Sequence, residues 1–194
     1  MSRRAPWPHA PAHFFDKAGT FIVTAATYKH AHFFISHSKL TFLQDALFSA
    51  AEEHSVALQA WSIFSNHYHF VAQIPSPLRL PEMIRKLHST TATEINSRDS
   101  ERGRQVWFQY RETRITYEGS YFARLHYVHR NPVRHRIVHE ATRYPWCSAA
   151  WFQREAPLPF QRSVYATRCE GIRIADEVEV VEPDDEEENE EEED

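Results

Sequence analysis

Residues 61–75, WSIFSNHYHFVAQIP, constrain the fold more than any other stretch of the chain. The run is rich in apolar and aromatic residues, ends at Pro75, and reads as a buried strand carrying His67 and His69 two positions apart. Strand side chains alternate faces, so both imidazoles point to one side of a sheet while Tyr68 points to the other. Two neutral imidazole nitrogens converging from one strand face make half of a divalent-metal site. Taken alone, such a pair is more often hydrogen-bonded structure than a ligand pair, so the fold must bring further ligands over the same face.

The flanking pattern predicts the sheet. Residues 20–28, TFIVTAATY, are β-branched and aromatic and form a first strand. Leu40, Leu43, Leu47 and Ala50 recur at helical spacing, which predicts an amphipathic helix over 38–54. Residues 56–63 and 64–74 then read as one long strand or a strand pair with a bend near Ser65–Asn66. Pro81 suits the first turn of a second helix, whose apolar face carries Met83, Ile84, Leu87, Thr91 and Ile95. Arg85, Lys86 and His88 fall toward its other side, a candidate phosphate-contacting surface. A polar loop over 96–105 leads to a strand over 106–116 that mixes aromatics with Arg111 and Arg114. Helical spacing resumes at Glu118, with Phe122, Leu125 and Val128 near one face, and Pro132 is expected to stop that helix. Strand, helix, two strands, helix, strand, helix suits an α+β fold with helices packed on an antiparallel sheet.

Charge divides the chain. Residues 176–194 hold 14 of the 27 acidic residues and no Lys or Arg, which leaves residues 1–175 with a net charge of +9. A basic body joined to an acidic tail favours a polyanionic partner, nucleic acid being the commonest. The expected organisation is a flexible basic arm over 1–18, a domain over 19–152, an extension over 153–175 and a disordered acidic tail over 176–194. The tail is a solubilising appendage or, on the sharper reading, a competitor of DNA for the basic surface. Cys147 and Cys169 give neither a zinc-finger spacing nor a disulfide framework. Prolines interrupt any signal-peptide core, and no run reaches the roughly 20 apolar residues that span a bilayer. A cytoplasmic protein with no membrane partner is expected.

The rest of the site lies near residue 127. Tyr127 and Asn131 are four apart and share a helix face. A tyrosine hydroxyl facing a histidine-bound metal can attack a phosphodiester while the metal polarises a phosphoryl oxygen. A free phenol with a pKa of about 10 is roughly one-thousandth ionised at pH 7, a handicap of about 4 kcal/mol that nearby cations must offset. Arg130, Arg134, Arg136 and the metal can supply that field. Asn131 can add an amide oxygen, which suits Mg²⁺ or Mn²⁺. His126, His129, His135 and His139 cross helix and loop and read as phosphate-proximal or surface groups. Trp107, Phe108 and Tyr110 read as core, with stacking on unpaired bases as the alternative.

Asn66-His67-Tyr68-His69 resembles the histidine-hydrophobic-histidine motif of HUH endonucleases. Residues 127–138, YVHRNPVRHRIV, followed by Tyr144-Pro145-Trp146-Cys147-Ser148, resemble the C-terminal signature of single-tyrosine insertion-sequence transposases, most closely the REP-associated tyrosine transposases. The likeness covers about residues 14–152. It implies a ferredoxin-like α+β fold that nicks and rejoins single-stranded or hairpin DNA through a 5′-phosphotyrosine, with Mg²⁺ or Mn²⁺. His67 and His69 match the metal ligands, Tyr127 the nucleophile and Asn131 the residue that helps complete the metal site. Arg136 stands where relatives usually have glycine, at a left-handed helix-end position, and Tyr68 is bulkier than the usual aliphatic residue. Relatives include monomers and dimers that exchange catalytic helices. Two other functions stay open: a hairpin-binding protein on this fold with cleavage lost, and a metal phosphohydrolase using activated water, for which Tyr127 would be dispensable.

Overall fold

The computed structural model describes residues 19–76, 78–170, 172 and 180–184. Its core follows the order β1 (Gly19–Thr27), α1 (His37–Glu53), β2 (Ala57–Ile63), β3 (His67–Ile74), α2 (Arg79–Arg98) and β4 (Trp107–Ile115). The four strands form one antiparallel sheet in the order β2-β3-β1-β4, the ferredoxin-like arrangement. Three helices follow: α3 (Glu118–Arg134), α4 (Ala149–Glu155) and α5 (Leu158–Ala166). Among the described residues, no helix is long and apolar enough to cross a membrane.

Each sheet face buries its own apolar layer. Val23, Ala25, Tyr68, Phe70, Ala72 and Ile74 pack against Leu40, Leu43 and Leu47 of α1 and Met83, Ile84 and Leu87 of α2. The opposite face sets Ile22, Ala60, Val71 and Ile115 against Leu125 and Val128 of α3, with Phe152 and Phe160 of α4 and α5 behind them. Burying an aliphatic side chain of this size contributes about 1.5–3 kcal/mol, so Leu125 and Val128 fix which side of α3 meets the sheet. His67 and His69 share the face of Val71, and the tyrosine helix therefore crosses directly over the histidine pair.

Tyr68 occupies the other face, where its bulk is accommodated. Its hydroxyl shares a hydrogen bond of 2.9 Å with His88 Nε2. The His88 ring stacks on Trp107 at 4.4 Å, and Trp107 Nε1 donates to Thr91 Oγ1 at 2.8 Å. His88 thus belongs to a partly buried polar network rather than to a phosphate-contacting surface. The aromatics of β4 divide: Trp107 is core, whereas Phe108 is exposed.

Pro132 does not end α3, which continues to Arg134. Proline removes the hydrogen bond that Val128 would otherwise accept in a helix interior. Here the Cys147 thiol points at the carbonyls of Val128 (3.9 Å) and His129 (3.7 Å), which softens that loss. The helix closes two residues later in a Schellman turn, with Arg136 N donating to Val133 O and Ile137 N to Pro132 O, both at 3.0 Å. Arg136 takes φ 60°, the left-handed position expected from sequence. A side chain there costs about 1–2 kcal/mol that glycine would avoid.

The segment after α3 seals the free edge of β2. Ile63 N donates to Trp146 O at 3.0 Å and Ser148 N to Trp61 O at 2.9 Å. Beyond α5, the expectations for residues 1–18 and for most of 176–194 lie outside the described residues. Within the acidic stretch, Asp184 pairs with the start of α1: its N–H donates to Ile35 O at 2.7 Å, and His37 N donates to Asp184 O at 3.3 Å. Val180 packs against the core of that side, which supplies the apolar contact that the acidic composition hides.

Candidate metal and tyrosine site

The hairpin between β2 and β3 builds the histidine half. Phe64 N donates to His67 O at 2.8 Å, and the turn is pinned from outside by Thr27 N to Asn66 O (2.9 Å) and Phe34 N to Ser65 O (3.0 Å). Asn66 Nδ2 donates to His30 O at 3.3 Å, which directs Oδ1 toward His67 Nδ1 at 2.8 Å. An amide oxygen only accepts, so His67 carries its proton on Nδ1 and its lone pair on Nε2, the form a metal takes up. His69 Nδ1 meets Thr24 Oγ1 across the β1–β3 pair at 2.7 Å, which holds the second ring.

The two imidazole rings are 5.0 Å apart. Phe64 stacks on His67 at 4.6 Å, and Tyr144 stacks on Phe64 at 5.6 Å while donating its hydroxyl hydrogen to Ile63 O at 2.8 Å. Burial, and then the neighbouring rings of His69 and His135, hold His67 well below the usual histidine range. Its ring is therefore neutral at pH 7.

The helix supplies the other half from the same chain. Tyr127 meets His69 edge-on with ring centres 5.6 Å apart. Arg134, two turns on, donates from Nη1 to Tyr127 Oη at 2.9 Å. The His135 ring, at the helix C-cap, lies 5.1 Å from that of His67. Asn131 sits midway between Tyr127 and His135 on this face and so overlies the histidine pair. It is 0% exposed, and neither amide atom has a hydrogen-bond partner among the described residues. His67 Nε2 and His135 Nε2 are likewise buried without one. Buried polar atoms are normally paired, so this set fits a metal ion held by imidazole nitrogens and an amide oxygen. No three His, Cys, Asp or Glu side chains among the described residues form a closed metal cluster. An amide ligand lies outside that group of residue types.

Beside Tyr127, a recess of about 290 Å³ is lined by Arg130, Val133, Arg134, Cys169, Glu170 and Ile172. Arg130 and Glu170 pair at its rim at 2.8 Å. The other cationic candidates split between the faces. Arg111 lies opposite Thr24, itself opposite His69, two strand spacings or about 10 Å away on the metal face. Arg130 and Arg134 belong to the helix above that face, and Arg136 to the turn that closes it. Arg114 lies opposite Phe21 and Ala72 on the other face, where α2 carries Arg85 and the Glu53-paired Lys86.

Three residues at the site had weak or no sequence signals. Asn66 was marked only as part of the motif, and Thr24 had no signal because register alone pairs it with His69. His135 had one: Tyr127, Asn131 and His135 are spaced i, i+4 and i+8. The remaining histidines of this segment separate. His129 is buried against Phe152 at 4.5 Å, with burial pushing it down to about 3, while His126 Nδ1 meets Thr167 O and His139 is exposed.

The site is thus a four-stranded antiparallel sheet that presents paired histidines to a tyrosine-bearing helix. Residues 19–131 match the family described as Transposase IS200 like, and the chain belongs to that family. The fold is similar to that of a REP-associated tyrosine transposase solved bound to a REP hairpin, with a TM-score of 0.57 and 16% identity over 82% of this chain and 90% of that one. A Deinococcus radiodurans protein assigned as a transposase aligns at 16% identity over 55% of this chain and 85% of its own, with a TM-score of 0.43. The curated proteins gave no match.

Proposed function

We infer that the chain is a metal-dependent single-stranded DNA endonuclease and strand transferase acting in the cytoplasm on hairpin or palindromic DNA. One observation carries the reading: Tyr127 stands edge-on to His69, 5.6 Å between ring centres, within one chain. His67, His69 and Asn131 would hold Mg²⁺ or Mn²⁺, which when bound polarises a phosphoryl oxygen. The side chains supply the rest. Tyr127 Oη loses its proton to solvent and bonds to phosphorus, while the bond from phosphorus to the 3′ oxygen breaks and that oxygen takes a proton from solvent to leave as a hydroxyl. Arg134, donating to the same phenol oxygen, favours the negative charge that develops there. The 5′-phosphotyrosine keeps the energy of the broken bond, so reversal by another 3′-hydroxyl joins strands without a nucleotide cofactor.

Arg111, Arg130, Arg134 and Arg136 lie on the site's side, placed for backbone phosphates of the cut strand. Contacts from Arg85, Lys86 and Arg114 require DNA that reaches the opposite face, as the stem of a hairpin can. The neighbour solved with a REP hairpin supports a hairpin partner and a place for this chain in the REP-associated branch. Both halves of the site come from one chain, so a monomer suffices for chemistry.

The test incubates the full chain with labelled hairpins bearing single-stranded flanks and Mn²⁺, followed by a denaturing gel. A covalent protein–DNA adduct that disappears in Tyr127→Phe is expected. Cleavage that survives Tyr127→Phe would make water the nucleophile, and tight binding without adduct across the hairpin set would make the protein a binder.

A further inference from the structure

We propose that Phe108, flanked by Tyr28, Lys29 and Arg111, is a stacking platform for one unpaired base of the cut strand, on the open half of the sheet face that carries His67 and His69. The proposal rests on single-stranded DNA being the partner, and adds the subsite that distinguishes an unpaired flank from duplex. Register puts Phe108 on that face. Ala26 of β1 pairs with His67 of β3. On the other side of Ala26 the ladder to β4 shifts, from Ala25 opposite Tyr110 to Thr27 opposite Trp107, so Phe108 and Gln109 together face Ala26 across a β-bulge. Trp107 and Tyr110, on either side, pack into the layer of α1 and α2, which turns Phe108 the other way. Two strand spacings, about 10 Å, separate it from His67, within reach of a base a few nucleotides from the scissile phosphate.

The helix α3 packs on β2 and β3, and Phe108, Gln109, Arg111 and Thr113 of β4 stay exposed. Phe108 is 56% exposed, with the Tyr28 ring 6.4 Å away and tilted by 46°, and Lys29 Nζ lies 5.4 Å from the centre of the Tyr28 ring. A nucleobase offers the apolar, planar surface that covers such a ring, and the phosphates on either side of it suit Lys29 and Arg111. The neighbouring acid, Glu112, pairs with Val23 and points to the opposite face. The platform is tied to the histidine turn. Tyr28 N donates to Val106 O at 2.8 Å, and His30 O accepts from Asn66 Nδ2 at 3.3 Å, the amide whose Oδ1 orients His67. Lys29 and His30 both take φ 55°, a left-handed backbone that L side chains adopt only under constraint, and these bonds supply it. The competing explanation is that Phe108 merely shields Tyr28. Their separation is near the outer limit of ring contact, however, and shielding leaves most of the Phe108 ring in water.

The test measures DNA binding by the full chain in EDTA, using hairpins with single-stranded flanks, the same hairpins without flanks, and flanks in which one base at a time is replaced by an abasic site. Phe108→Ala is expected to weaken binding of the flanked hairpin about fivefold or more and of the bare hairpin less than about twofold, whereas Phe108→Trp keeps or tightens it. At one flank position the abasic site is expected to weaken wild type by a similar factor and to leave Phe108→Ala unchanged, because both changes remove the same stack. Equal affinities of wild type and Phe108→Ala for the flanked hairpin, equal losses on flanked and bare hairpins, or losses that add at every flank position would overturn the platform and leave the Tyr127 adduct test untouched. Wild type that binds neither kind of hairpin would remove the DNA reading and this proposal with it.

Discussion

Stability of the metal-free protein should fall steeply as pH drops from 7 to 5.5, because His67, His88 and His129 are largely buried in neutral form; the more exposed His135, pushed down to about 4 chiefly by burial, adds to the fall. Burial pushes His129 down to about 3 and His88 to about 4, and burial reinforced by neighbouring histidines holds His67 well below its ordinary value. Above about pH 6.5 both folded and unfolded chains hold these rings neutral, and they contribute nothing to the pH dependence. As pH falls through 6.5 the unfolded chain gains protons that the native state refuses. Stability then drops, and for His129 and His88 continues to drop until their folded values of about 3 and about 4 are reached. The limiting slope is about 1.4 kcal/mol per pH unit per histidine, and each site loses about 1.2 kcal/mol between pH 7 and pH 5.5. Three sites together lose about 3.5 kcal/mol, a large share of the 5–15 kcal/mol typical of a domain. Urea unfolding in EDTA at the two pH values measures the loss directly. His129→Leu replaces a ring that packs on Phe152 but has no role at the metal site, and should reduce the loss by about 1 kcal/mol. Stability that is flat or rises between pH 7 and pH 5.5 would refute the assignment of these rings as buried and neutral.

Two further substitutions separate the site from its supports. Thr24→Val removes the hydroxyl that holds His69 at 2.7 Å; it should weaken metal binding about 10–100-fold, measured by calorimetry, and destabilise the protein by about 1–3 kcal/mol in urea. Tyr144→Phe keeps the stack on Phe64 but leaves the buried Ile63 carbonyl without its hydroxyl donor, and urea unfolding should show a loss of about 1–2 kcal/mol.

The elements were legible because their periodicities are clean: alternation around His67 and His69, and a 3.6-residue stripe through Leu40, Leu43 and Leu47. The sheet faces were not. Arg85, Lys86 and Arg114 are as cationic as Arg111 and Arg130, yet strand parity and helix placement put them on the far side of the sheet, a distinction only the assembled register makes. Helix continuation through Pro132 was hidden for a related reason, since the Cys147 thiol that faces the freed carbonyl comes from 15 residues further along the chain. Residues 153–166 were read only as an extension, although α5 uses Phe160 and Val164 to close the layer behind α3. In sequence His126, His129, His135 and His139 cross helix and loop and read as one phosphate-proximal or surface group, whereas the structure gives them unrelated environments, His129 buried in the core and His139 exposed.

The Tyr-Pro-Trp-Cys-Ser segment explains how Tyr127 on a helix keeps its distance from His67 and His69 on a strand. The histidine pair is rigid because β3 is an interior strand, hydrogen-bonded on both sides. The helix α3 has no such lattice and could slide along the apolar layer by a fraction of a turn. Residues 146–148 pair with the edge of β2 while the Cys147 side chain between them faces the carbonyls of Val128 and His129, the turn of α3 that follows Tyr127. Tyr144, just before, stacks on the Phe64 ring that backs His67. One short segment therefore contacts the sheet edge, the tyrosine helix and the Phe64 ring that backs His67. Because that segment is fixed to the sheet edge and to Phe64, a shift of α3 large enough to separate Tyr127 from His69 would break the Cys147 contacts with Val128 and His129, and a displacement of about 1 Å in reacting groups already costs on the order of 100-fold in rate.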